Sequence, residues 1–181
     1  MSGCSSLLDQ QTFGGSGRPA ARLPRRPPDI HFVPTPYPVV DAMLQLAGVG
    51  PNDVVYDLGS GDGRIVIAAA STYGARGVGI ELDPKLVAEA TRNAQLSGVA
   101  ERVTFKEGDI FEADISEATV VTLFLLSTIN DRLWPKLMSE LKQGTRVVSY
   151  RFPIRDWEPD KEIIVDNQEV FFWTVPAPED R

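Results

Sequence analysis

The sequence predicts an α/β fold built on a doubly wound, mostly parallel sheet of seven strands whose last strand is antiparallel. Three observations predict it. From Pro36 onward, short apolar runs alternate with stretches of helical periodicity. Strands separated by helices pair in parallel, because a helical crossover returns the chain to the same end of the sheet. The final two runs, 161–165 and 169–175, are joined only by a turn at Asp166 and Asn167, so the last strand reverses.

Each element has a local reason. Val39, Val40, Met43, Leu44, Leu46 and Ala47 recur at helical spacing, and Gly48 closes that helix. DVVYDL at 53–58 is a short buried-type strand, and Ile65 to Ala70 carries the following glycine turn into a helix. GVGIEL at 77–82 is the second strand. Asp83 then offers an N-cap, Pro84 takes the first helical position and Gly98 ends the helix. RVTFK at 102–106 is the third strand. ATVVTLFLL at 118–126 is the fourth and the most apolar, as a central strand should be. A helix at 129–142 ends before Gly144, and TRVVSY at 145–150 is the fifth strand.

Composition bounds the function. The chain has 181 residues, enough for one domain with a proper core. A net charge of −7 argues against nucleic-acid binding. The only cysteine, Cys4, and the only histidine, His31, exclude an internal disulfide and a Cys/His zinc site, and no metal is expected. No run of about 18 apolar residues suggests a transmembrane segment. Residues 1–30, rich in Gly, Ser, Pro and Arg, read as a disordered leader, basic through Arg18, Arg22, Arg25 and Arg26, and residues 31–181 as the folded domain.

The stretch DLGSGDGRI at 57–65 carries the chemistry. Gly59, Gly61 and Gly63 let the backbone turn tightly after the first strand, where such sheets bind ligands. A dinucleotide fingerprint, G-x-G-x-x-G, would place its third glycine at Arg64. Asp57 and Asp62 would repel a pyrophosphate, each like-charged contact at ~4 Å costing ~4 kcal/mol at an effective dielectric of ~20. Glu81 ends the second strand and Asp109 follows the third. Acids after three successive strands suit a nucleoside that carries positive charge, S-adenosyl-L-methionine.

DLGSGDG, the distal acid Glu81 and the pair Gly108-Asp109 resemble motifs of the class I S-adenosylmethionine-dependent methyltransferases, over about 34–175. The resemblance implies a Rossmann-like fold with S-adenosyl-L-methionine as cofactor. It further implies that Asp57, Gly59, Ser60 and Gly61 hold the methionine end, with Thr35 in reach. Glu81, followed by Leu82, would bind the ribose hydroxyls, and Asp109 with Ile110 would flank the adenine. VPTP at 33–36, RVVSY at 146–150 and WEPD at 157–160 are similar to the protein-lysine methyltransferases of the ATP synthase c-subunit and the adenine nucleotide translocase, small bacterial relatives included. The G-x-R-V-V-S strand also resembles the non-SET histone-lysine methyltransferases. The Asn/Asp-Pro-Pro-aromatic turn of nucleobase-amine methyltransferases is absent: that position reads Leu123-Phe124-Leu125-Leu126-Ser127.

The expected reaction is methyl transfer to a lysine amine of a protein, with a membrane protein among the candidate substrates. A lysine must arrive neutral, so a dry, aromatic-lined channel is expected. Tyr37, Phe124, Tyr150, Phe152 and Trp157 are its candidates, and Thr35, Ser127 and Asn130 could touch cofactor or substrate. No general base is named, and His31 is not assigned as one. The expected location is cytoplasmic, with peripheral attachment at the inner membrane where the substrate lies there. The competing readings are a small-molecule N- or O-methyltransferase, a cofactor-binding module without transfer activity and, more remotely, an NAD oxidoreductase.

Overall fold

A computed structural model describes residues 33–180. The leader at 1–30, Cys4 and His31 lie outside the described residues. Seven strands form one sheet: β1 (Val54–Leu58), β2 (Arg76–Glu81), β3 (Val103–Glu107), β4 (Val120–Leu123), β5 (Arg146–Tyr150), β6 (Lys161–Val165) and β7 (Gln168–Thr174). Their order is β3-β2-β1-β4-β5-β7-β6. The first five pair in parallel, and β7 is antiparallel to both β5 and β6. The strand order reverses between β1 and β4, which is where the carboxyl ends open a crevice.

The reversed last strand expected from the sequence is present, and it is inserted between β5 and β6. Asp166 and Asn167 both have left-handed backbones, with φ of 51° and 59°. That matches a tight hairpin turn. Apolar content explains the insertion: Val170, Phe171, Phe172 and Trp173 of β7 are buried, whereas Ile164 of β6 is 72% exposed. The strand with two apolar faces takes the inner position and the other takes the edge.

Alternation along the strands divides the core. Val55, Val120, Val148 and Phe172 pack with helices α1 (Tyr37–Leu46) and α2 (Arg64–Tyr73) and with Ala94 of α3 (Pro84–Leu96). Tyr56, Leu58, Val121, Leu123, Val147 and Trp173 pack on the opposite face with Leu133 and Leu137 of α4 (Ser127–Glu140).

Several boundaries differ from the sequence expectation, and two of them, the end of β4 and the start of α4, lie near the site. β4 stops at Leu123, so 124–126 leave the sheet instead of extending it. α4 begins at Ser127 and ends at Glu140, and Gly144 takes a φ of 82° in the turn before β5. Apolar character alone does not separate a strand from the residues that climb over its end.

The opposite, amino-terminal edge of the sheet is tied by Arg146. Its guanidinium pairs with Asp53 and donates to the carbonyls of Ala47 and Gly48, the last at 3.3 Å. Burial works against the Asp53 carboxylate, but the Thr119 hydroxyl, the Gly50 amide and Arg146 together hold its pKa below the ordinary 3.8. A depressed pKa stabilises the fold above the unfolded value, and that stability is lost as the pH falls through the lowered one. Arg146→Met is expected to cost about 1.5–3 kcal/mol, the usual worth of hydrogen bonds to charged groups, in urea unfolding at pH 7.

Candidate active site

The loop 59–63 joins β1 to α2. Gly59, Gly61 and Gly63 have φ of 85°, 52° and 82°, which other residues rarely adopt. The loop also lies close against its neighbours. A Cβ on Gly63 would stand 2.5 Å from Phe105 Cζ and 2.9 Å from Ala90 Cβ. One on Gly59 would meet Leu125 Cδ2 at 3.0 Å, so the residues that leave β4 roof the loop. One on Gly79 of β2 would be 2.5 Å from Ser60 Oγ.

Four of the loop's amides are already committed. Gly59 N and Ser60 N donate to the Ile80 carbonyl at 2.9 and 3.0 Å, and Gly63 N to that of Ser60 at 2.9 Å. Gly61 N donates to Glu81 Oε2 at 3.0 Å. Phosphate nests work by presenting free amides, and here four of them point into the protein. Glu81 Oε1 also accepts from Leu82 N and Asp83 N at 2.8 and 3.0 Å, which holds the carboxylate beside the loop.

Asp57 lies at the floor, 3% exposed. Its Oδ1 accepts from Thr122 Oγ1 at 2.8 Å, across the register that sets Asp57 beside Thr122. Burial, reinforced by the negative charges of Glu81 and Asp62, pushes its pKa up to about 7 in spite of the Thr122 bond. Among the described residues no cation pairs with it. A buried carboxyl with no positive partner is a site that a cationic ligand would complete.

Asp62 departs from the expectation that it faces the ligand. It pairs with Arg64, with Nη2–Oδ2 at 2.5 Å and Nε bonded to both oxygens at 3.0 and 3.1 Å. Arg64 also donates to the Thr35 carbonyl at 2.9 Å and lies 5.0 Å over the Tyr37 ring. This group clamps the 33–37 segment to the start of α2, and it offsets the charge of Asp62. Thr35 is buried there; Tyr37 is 64% exposed on the outside of the clamp. Nothing in the sequence pairs Arg64 with Asp62 unless the turn geometry is known.

The other expected residues are spread along the carboxyl edge of the sheet. Leu82 follows β2, and Ile110 packs against the α4-side core. Asp109 is exposed, and its Oδ1 accepts from Phe111 N at 2.9 Å, closing a turn after β3. Phe124, Tyr150 and Phe152 come together beyond β4 and β5: the Phe124 centroid is 4.6 Å from Tyr150 and 6.2 Å from Phe152. Asn130, in the first turn of α4 with Ser127, donates to the Phe152 carbonyl at 2.8 Å. Trp157 is elsewhere. It packs 5.6 Å from Trp173, which pairs with Val147, three residues before Tyr150 on β5, so it does not join the aromatic group. Its apolar area is used in the core instead. Among the described residues no group of three His, Cys, Asp or Glu side chains could hold a metal.

Comparison with known proteins bears on the fold and the family. The model of the ANTKMT methyltransferase domain matches residues 57–161, more than half of the chain. A protein-lysine N-methyltransferase of Saccharolobus islandicus is 47% identical over 153 residues, which span 82% of this chain and 95% of the relative. The adenine nucleotide translocase lysine N-methyltransferase of Mus musculus is 38% identical over 120 residues; the chain spans about half of it, 52%. A crystal structure of an RNA methyltransferase from Salinibacter ruber with S-adenosyl-L-homocysteine shares 59% identity at a TM-score of 0.79, covering 80% of this chain and 94% of that one. On the strength of the domain match, the glycine loop and the sheet order, the chain belongs to the ANTKMT methyltransferase domain family.

Proposed function

We propose that the chain transfers the methyl group of S-adenosyl-L-methionine to a lysine amine of a protein. One observation carries the cofactor choice: Asp57 is buried, with no cation paired to it among the described residues, beneath a glycine loop four of whose amides are spoken for. Such a floor asks for positive charge and offers a phosphate little. The residues present fit the cofactor. Asp57 would face the positive methionine end, with Gly59, Ser60, Gly61 and Thr35 around it. Glu81 would receive the ribose hydroxyls, Leu82 would lie beside them, and Asp109 and Ile110 would flank the adenine. When bound, the cofactor supplies a methyl group on a positively charged sulfur, ready for in-line displacement.

The chain's own residues do the rest. Phe124, Tyr150 and Phe152 form an apolar wall next to the switch point. An amine of ordinary pKa ~10.4 loses its proton more readily where the charged form is desolvated. Alignment of the two reactants then supplies much of the rate, since effective molarities of oriented pairs reach ~10⁵ M or more.

A lysine acceptor is supported by the naming of the Saccharolobus relative as a protein-lysine N-methyltransferase. RNA is the second reading, because the Salinibacter protein is described as an RNA methyltransferase. The net charge of −7 opposes it, since a polyanion gains affinity chiefly from cationic surface. Among the described residues no helix is long and apolar enough to cross a membrane. An acceptor at the inner membrane is the finer form of the lysine reading.

Incubation with methyl-labelled cofactor and cell extract is expected to label protein, in lysine, and to leave RNA unlabelled; label in RNA alone would reverse the choice. Glu81→Ala is expected to weaken S-adenosylhomocysteine binding about 10- to 150-fold, the equivalent of ~1.5–3 kcal/mol for a charged hydrogen-bond partner, by titration calorimetry.

A further inference from the structure

Three buried side-chain atoms among the described residues have no hydrogen-bond partner: Ser60 Oγ, Trp134 Nε1 and Asn130 Oδ1. Ser60 belongs to the glycine loop. Asn130 is the informative one, because its neighbours fix which way the amide points. The residue is 0% exposed. The Phe152 carbonyl only accepts, so the group 2.8 Å from it is the NH₂. Ser149 Oγ donates its hydrogen to the same carbonyl at 2.6 Å, and so accepts from Asn130 Nδ2 at 3.3 Å. Oδ1 is left on the other side with no donor. Buried acceptors without donors are uncommon in folded proteins, and each one asks for a reason.

The surroundings suggest the reason. Ser149 pairs in register with Leu123, the last residue of β4, so Asn130 hangs over the carboxyl ends of β4 and β5 beside the switch point. Phe152, whose carbonyl anchors the amide, stacks on Phe124, which packs on Tyr150. Between Tyr150 and Phe152, Arg151 takes a left-handed φ of 66°, rare for a residue with a side chain. That strained turn brings the Phe152 carbonyl back onto Ser149 and Asn130. Strain of this kind is held where a site needs one particular geometry.

We infer that Asn130 Oδ1 accepts an N–H of the incoming amine and is a specificity-determining residue for methyl transfer; the inference rests on the lysine reading above. A reacting amine points its lone pair at the methyl carbon, which leaves its N–H bonds directed away and in need of an acceptor. Asn130 supplies one inside the aromatic wall, where water does not compete, and the part-exposed rings of Phe124 and Phe152 move aside to admit the amine. The amide is not a base. The ammonium loses its proton to water before transfer, the N–C bond forms as the S–C bond breaks, and the methylammonium product releases its proton to water afterwards.

The test compares Asn130→Ala with Ser149→Ala, which loosens the same Phe152 carbonyl but leaves Oδ1 in place. Label incorporation into cell-extract protein, S-adenosylhomocysteine affinity and melting temperature are measured for both. Asn130→Ala is expected to lower the labelling rate at least about tenfold with cofactor-product affinity unchanged, and Ser149→Ala only about twofold. Equal losses in the two variants, or none in Asn130→Ala, overturn the inference and leave the lysine reading standing. Absence of protein label with the unaltered chain overturns the lysine reading, and the inference with it. If Asn130→Ala does not bind S-adenosylhomocysteine, Asn130→Ser, which can still hold the Phe152 carbonyl, replaces it in the same comparison.

Discussion

Asp57→Asn is expected to make the ligand-free protein more stable at pH 8 and at the same time to weaken its hold on S-adenosylmethionine. The folded pKa of Asp57 is raised from 3.8 to about 7, with burial as the main cause. Below about 4 the group is protonated in both folded and unfolded chains and costs nothing. As the pH rises, the unfolded chain ionises first, so stability falls until the pH passes the folded value near 7. A shift of that size corresponds to ~4 kcal/mol at ~1.4 kcal/mol per unit. Asparagine keeps an oxygen for the Thr122 hydroxyl and carries no charge to desolvate. Thermal melts between pH 5 and pH 9 should therefore decline with pH for the unaltered chain and less steeply for the variant. Parallel curves would show that the floor carboxyl is not under strain.

The same carboxyl links binding to protons. A cationic ligand draws Asp57 into its ionised form, so binding near pH 6 should release a proton, and affinity should fall as the pH drops below about 7. Calorimetry in two buffers of different ionisation enthalpy reads that proton directly. The Asn variant should show neither the release nor the pH dependence.

Gly63→Ala is expected to be among the most destabilising substitutions in the chain. The backbone at Gly63 has a φ of 82°, and the left-handed region costs a residue with a Cβ about 1–2 kcal/mol. The new methyl would also lie 2.5 Å from the Phe105 ring and 2.9 Å from Ala90, on β3 and α3. Overpacking of that kind adds about 1–3 kcal/mol. Urea unfolding should show a loss of about 2–5 kcal/mol, and cofactor binding should fall with it, because α2 starts at the next residue. Gly79→Ala makes a useful contrast. Its backbone is not left-handed, but its methyl would strike Ser60 Oγ at 2.5 Å. It would stand equally close, 2.5 Å, to Phe105 Cδ1, so the expected loss there is shared between stability and binding, the loop and the ring both having to move.

Much of the architecture was legible because it depends on near neighbours. The 161–165 strand is observed at Lys161–Val165, and strand and helix alternate from α1 to β3 and again from β4 to β5, whereas no helix stands between β3 and β4 or among β5, β6 and β7. Asp83 caps α3 by accepting from Lys85 N at 2.9 Å, with Pro84 at the first helical position. Where apolar runs changed structure midway, as at Phe124 to Leu126, the boundary was lost. Composition does not say where a strand stops and its roof begins.

By itself the sequence determined the elements, their parallel sense and a glycine turn flanked by Asp57 and Glu81, because helical period, strand alternation and left-handed turns are properties of a few adjacent residues. Tertiary structure alone decided that β7 enters the sheet ahead of β6, that Thr122, 65 positions away, steadies Asp57, and that Arg64 offsets Asp62. It also decided that Asn130 faces Phe152 while Trp157 joins the core against Trp173. Those partnerships depend on strand register and on how distant segments pack, which no local pattern encodes.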